Sequence, residues 1–124
     1  MKASVVGFVL LFALACGSAT GPFGGLAVRA TPPVLTLRNA TPGTVYTFAI
    51  EGGLATRANW APCSDPAICD GIEFAETRDL PYAQIAGYSD SATHAIVYWW
   101  HLVPDGPSRF KPDSIRAVGV ELHP

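Results

Sequence analysis

Three cysteines, three histidines and one run of aromatic residues are the parts of this 124-residue chain that could carry chemistry. Cys63 and Cys69 frame the loop CSDPAIC, in which Ser64, Asp65 and Pro66 are turn formers, and Cys16 stands apart near the N-terminus. His94, His101 and His123 invite a copper or zinc centre, but the spacing argues against it. His94 and His101 are seven apart, so in one regular strand they face opposite sides of a sheet. Type 1 copper would also want a free cysteine and usually an axial methionine, and the sole methionine is Met1. No metal site and no cofactor is expected. The chain has no G-x-S-x-G, no HExxH and no phosphate-cradling glycine loop. Glu73, Glu76 and Asp79 read as solvated charges on loops and a sheet edge, so no catalytic residue is assigned and an enzyme is not expected.

What remains is AIVYWWHLVP, residues 95–104. In a strand, Ile96, Tyr98, Trp100 and Leu102 share one face, and Val97, Trp99, His101 and Val103 share the other. Neither face is polar. A sandwich buries one face of each sheet, so the second face needs a loop over it, a partner, or a use as a binding surface. A loop is the first expectation, supplied by the cysteine ring or by DGPSRFKPD. The companions of Trp100 place it in the core and leave Trp99 with His101 nearer the surface. Trp99, His101 and Tyr88 then form the candidate patch for a sugar, a peptide or a protein partner.

The elements that must position these residues have a period of two from Leu26 onward. VLTLRNA (34–40) and TVYTFAIE (44–51) flank Thr41-Pro42-Gly43, which predicts a hairpin with Pro42 presetting the turn and Gly43 supplying positive φ. Glu51-Gly52-Gly53 turns the chain into LATRANWA (54–61), read as a strand with Leu54, Thr56, Ala58 and Trp60 on one face. Further strands are expected at GIEFAET (71–77), PYAQIAGY (81–88), THAIVYWWHLV (93–103) and SIRAVGVEL (114–122). Seven or eight short strands separated by Pro, Gly and Asp clusters predict an all-β, antiparallel, immunoglobulin-like β-sandwich over residues 26–124, with a small β-barrel as the alternative. The antibody-type Cys, Trp, Cys framework is absent, because Cys63 and Cys69 are too close in sequence to staple two sheets and Trp60 precedes both.

The N-terminus reads differently. MKASVVGFVLLFALAC has one basic residue, Lys2, an apolar run over residues 5–15 and small residues around a cysteine, which is the pattern of a secretory signal over residues 1–15. Ala13-Leu14-Ala15 fits ordinary signal-peptidase cleavage, and glycan acceptance at Asn39-Ala40-Thr41 would then be open in a eukaryotic host. Ala13-Leu14-Ala15-Cys16-Gly17, in turn, resembles the lipobox of bacterial lipoproteins, although that family usually carries Leu where Ala13 stands and a smaller residue where Leu14 stands. The resemblance covers residues 1–17. It implies cleavage before Cys16, lipidation of that cysteine and attachment to the membrane through its acyl chains. Gly17 rather than Asp after the cysteine resembles outer-membrane-destined members. GSATGPFGG (17–25) follows as a flexible stretch, so residues 16–25 are a tether.

In an exported protein Cys63 and Cys69 are the natural local disulfide, which leaves Cys16 as the odd cysteine, and a lipid thioether accounts for it. Loss of Lys2 with the signal leaves 7 of the 8 Lys and Arg against 10 Asp and Glu, a net charge of −3 with no basic cluster. Nucleic acid is therefore not an expected partner. The expected function is a non-catalytic, lipid-anchored binding or structural module of the bacterial cell envelope, with the outer membrane favoured and a secreted or periplasmic protein otherwise. A carbohydrate- or peptide-binding module and an envelope metal-handling protein using His101 or the two cysteines are the alternatives.

Overall fold

The computed structural model describes residues 25–124, so the signal, Cys16 and all of the tether except Gly25 lie outside the described residues. Seven strands form in chain order: β1 (Leu26–Thr31), β2 (Val34–Asn39), β3 (Val45–Glu51), β4 (Gly71–Ile72), β5 (Thr77–Pro81), β6 (His94–Pro104) and β7 (Phe110–Glu121). One helical turn, α1 (Gly52–Ala55), follows β3. The strands make two antiparallel sheets, β1-β2-β5 and β4-β3-β6-β7, and the fold is a β-sandwich rather than a closed barrel. The order is immunoglobulin-like, with β4 beside β3 instead of extending the first sheet.

Alternation explains the smaller sheet. Leu26 and Val28 of β1 and Leu35 and Leu37 of β2 point inward and are at most 2 % exposed. Its outer face is polar, with Thr36 donating to Asp79 across the β2–β5 pair at 3.3 Å and Arg38 donating to the Ala75 carbonyl at 3.0 Å. Against these inner residues β6 presents Ala95, Val97 and Trp99, in register with Glu51, Ala49 and Thr47 of β3. β7 adds Val118 and Val120 to the same layer.

Several expected elements are placed differently. Residues 34–40 and 44–51 are both strands but not a hairpin: β2 pairs with β1 and β5, β3 pairs with β4 and β6, and residues 40–44 cross from one sheet to the other. The hairpin partner of β2 is β1, joined through Pro32-Pro33 with a cis bond between them. Residues 54–61 do not form a strand, because the Glu51 carboxylate accepts from the backbone N–H groups of Gly53 (2.9 Å) and Leu54 (2.8 Å) and starts α1 instead. Of residues 71–77 only Gly71 and Ile72 pair with β3, and the chain then turns through Ala75 at φ 66°. Residues 81–88 give a 3-10 turn at Tyr82–Gln84 and a single parallel bridge of Ala86 to Ile50, which covers the edge of β3 that the short β4 leaves open. The strand β5 bridges the gap between these two expected stretches and carries Asp79 on its outer side, beside Thr36. β6 and β7 lie where alternation puts them, with β7 beginning four residues earlier, at Phe110.

Candidate functional site

The strand β6 is apolar on both faces, and both faces are covered. Trp99 faces the space between the sheets, is 2 % exposed and lies within the core, with the Arg116 guanidinium 5.0 Å from its ring centre and the edge of His101 against it. Trp100 is 1 % exposed on the opposite, outer face of the larger sheet. There Trp60 stacks on Phe48 at 4.8 Å and packs at a tilt against Tyr98 at 4.8 Å and Trp100 at 5.8 Å between ring centres. The indole N–H of Trp100 donates to the Cys63 carbonyl at 3.0 Å. The chain between α1 and the cysteine ring is thus the cover over the outer face, and Trp60 is its anchor.

This corrects the assignment of the two faces. The face of Trp99 is the inner one, because its strand-mates Ala95 and Val97 meet the opposite sheet, and the companions of Trp100 form an outer layer with a lid of their own. The expected patch is also dispersed. Trp99 is inside the sandwich; His101 is half-buried toward one end of β6; Tyr88 is half-buried against Tyr82, whose hydroxyl donates to the Leu122 carbonyl near the end of β7, at the opposite end.

His101 belongs to a network that alternation does not reveal. Asn39, 0 % exposed, donates from Nδ2 to the carbonyls of Gly43 (2.7 Å) and Ile72 (2.8 Å), and its Oδ1 accepts from the N–H (2.8 Å) and hydroxyl (2.6 Å) of Thr41. A hydroxyl has one proton, and at 2.6 Å it goes to Asn39, so His101 Nε2, 2.9 Å from the same Thr41 oxygen, carries the hydrogen and donates it. These bonds fasten the 40–44 crossover to β4 and β6. They also leave Asn39 without an exposed amide for a glycan. The Asx turn at Asn39-Ala40-Thr41 was the signal in the sequence for this role.

Around this network the β2–β3 crossover, the cysteine ring and the β6–β7 hairpin meet at one end of the sandwich. A cleft of about 270 Å³ there is lined by Thr44, Tyr46, Pro66, His101, Leu102 and Phe110. Gly71 is required beside it, since a Cβ would lie 2.4 Å from the Thr44 methyl and 3.0 Å from the Tyr46 ring. The Thr44 hydroxyl donates to Glu73 at 2.9 Å. Burial, and then the Glu73 charge, push the Tyr46 hydroxyl above its ordinary value, so it stays protonated. Burial holds the His101 imidazole below its ordinary value; Arg116 adds to this and Asp113 opposes it.

A pH dependence follows. The unfolded chain takes up a proton on His101 near pH 6.5, before the folded protein does. Stability from this residue is complete above about pH 6.5 and is lost as pH falls through the lower, folded value. His101→Gln, which keeps a donor for Thr41, is expected to flatten the slope of stability against pH below 6.5 in urea titrations; an unchanged slope would assign the acid sensitivity elsewhere.

Cys63 and Cys69 are bonded, with Cα atoms 5.9 Å apart. Closing so small a ring contributes roughly 2 kcal/mol in the chain-entropy account. The double variant Cys63→Ser, Cys69→Ser should lose about that much in urea unfolding, and reduction of the wild type should lose the same. At the far end, Thr93, His94, Glu121 and His123 line a cleft of about 360 Å³. Among the described residues no group of three or more His, Cys, Asp or Glu side chains is placed to hold a metal ion.

Comparison with protein families, curated proteins and solved structures gave no match to this chain.

Proposed function

We propose that this protein is a non-catalytic, lipid-anchored β-sandwich of the bacterial cell envelope, with a binding or structural role and the outer membrane as its favoured location. The observation that carries this is the cysteine count. Of three cysteines, Cys63 and Cys69 are joined to each other, and the odd one, Cys16, stands where the resemblance to a lipobox gives it a use. A disulfide also suits an exported chain.

Support for a non-catalytic role comes from what the polar side chains do. His101 and Thr41 secure a crossover, Glu51 caps α1, and Glu76 accepts from the Glu73 N–H at 2.8 Å and pairs with Arg78 at 3.1 Å. The glycan- or peptide-binding alternative loses its principal anchor with the burial of Trp99. Of its residues, His101 lines a cleft of about 270 Å³, below the range of roughly 300–1,000 Å³ usual for small-molecule sites. A metal-handling role would have to draw on cysteines already oxidised and on a histidine already hydrogen-bonded.

The test is the intact mass of the protein purified from membranes of its own host. A chain beginning at Cys16, carrying acyl groups and two hydrogens short, is expected. An unacylated soluble species, or one holding a stoichiometric metal, would overturn the proposal.

A further inference from the structure

Among the described residues four large apolar side chains are well exposed, and three of them share one end of the sandwich: Ile68 at 78 %, Phe74 at 62 % and Phe110 at 39 %. They come from three separate connections. Ile68 is in the cysteine ring, whose Pro66 shares the cleft with Phe110. Phe74 is in the β4–β5 turn, which is tied to the end of β2 by the Ala75 N–H donating to the Asn39 carbonyl at 2.7 Å. Phe110 opens β7 next to the hairpin loop.

The N-terminal chain arrives at this same end. Leu26 pairs with Asn39, and the Ala40 N–H donates to the Gly25 carbonyl at 3.1 Å, so β1 begins beside the crossover. Residues 17–24 separate Gly25 from Cys16. Such a stretch spans about 15–18 Å in root-mean-square terms and about 30 Å at full extension. Turning the opposite end toward the anchor would make the tether run back along the length of β1, about 20 Å for its 6 residues.

We propose that the end of the sandwich carrying Ile68, Phe74 and Phe110 is a docking face for a phospholipid bilayer, on which these three side chains enter the interfacial region and hold the domain down on its anchor. The proposal rests on lipidation of Cys16. The face has no excess of basic residues: around the β4–β5 turn Asp70, Glu73 and Glu76 outnumber Arg38 and Arg78, and Asp65 offsets Arg109 beside Phe110. Its partner is therefore a zwitterionic surface met through apolar contact rather than an anionic one met through charge.

The experiment uses acylated protein from host membranes, reconstituted in phosphatidylcholine vesicles with and without brominated chains. Ile68→Trp, Phe74→Trp and Phe110→Trp are compared with Thr31→Trp at the far end of β1, each after subtraction of the wild-type signal. Added emission at positions 68, 74 and 110 should be roughly halved by the brominated lipid and that at 31 unchanged. Equal quenching at all four, or none, would overturn the docking face. If the purified protein carries no acyl groups, the anchor fails on its own, and the same four variants, coupled through Cys16 to a maleimide lipid in the same vesicles, still report on the face. A preference for anionic vesicles would overturn the assignment of a zwitterionic partner.

Discussion

Asn39→Asp, a change of one heavy atom with no change of shape, is expected to destabilise the domain by about 4 kcal/mol, on the order of 20 °C in Tm. The wild-type amide nitrogen points at two carbonyl oxygens, of Gly43 and Ile72, 2.7 and 2.8 Å away. In the variant an anionic oxygen would face those two acceptors at a position that is 0 % exposed. Both donors would be lost, and the buried carboxylate would keep only the Thr41 N–H and hydroxyl, on its other oxygen, as partners. A domain of this size has roughly 5–15 kcal/mol in all, so a large share of the total depends on this one nitrogen. The sign of the pH effect identifies the cause. A buried carboxyl facing carbonyl oxygens holds its proton, so the deficit should shrink as pH falls below neutrality, whereas Asn39→Ala should show a pH-independent loss. A deficit below about 1 kcal/mol for Asn39→Asp, measured by urea unfolding at neutral pH, would mean that the crossover is held by something else.

The same residue shows why part of the topology was hidden. A turn such as Asn-Ala-Thr-Pro-Gly is compatible with a hairpin within one sheet and with a crossover between two. What separates them is the partner of the Asn39 amide, the Ile72 carbonyl 33 residues away, and no local pattern encodes that. The turn was legible; the sheet on the other side of it was not. Residues 54–61 fail for a related reason. Their alternation is real, but it serves to lay Trp60 over an outer face without adding a strand to the ladder. β5 is less legible because Asp79 suits a solvated edge or loop as well as the wet outer face of a sandwich sheet, while Arg78, opposite Leu37 in the ladder, puts a charge on the inner side at the end of the strand, where it pairs with Asp70 and Glu76. The strand number therefore agrees while two of the members differ.

β6 was the most legible element, and it also shows where alternation stops. Two apolar faces demand two covers, and the cover on the outer side does lead into the cysteine ring. Which face is inner depends on what the neighbouring sheet offers, and Trp99 and Trp100 are indistinguishable in that respect from sequence. Similarly, the sequence offers His101 as one member of a candidate surface patch, yet its neighbour Thr41, 60 residues away, turns it into a structural donor.

Trp60→Ala should have the second large effect, about 3 kcal/mol of stability lost, because an aromatic side chain in contact with three other rings is removed and its space is left to water. The consequence differs from that of a core deletion. The inner core, built from Leu26, Leu35, Leu37, Val97 and Trp99, does not include Trp60 and should persist. What is exposed instead is the outer layer of Phe48, Tyr98 and Trp100, a contiguous aromatic surface of the kind that binds dyes and other copies of itself. The variant is therefore expected to keep its far-ultraviolet spectrum, lose near-ultraviolet aromatic signal, bind anilinonaphthalene sulfonate and associate at concentrations where the wild type stays dispersed. Trp60→Phe, which retains a ring over Phe48 and Tyr98, should recover most of the stability. Cooperative loss of the whole fold in Trp60→Ala at ambient temperature would show that the lid and the core are one unit, and that the outer layer of β6 is as much a part of the folding nucleus as the face that carries Trp99.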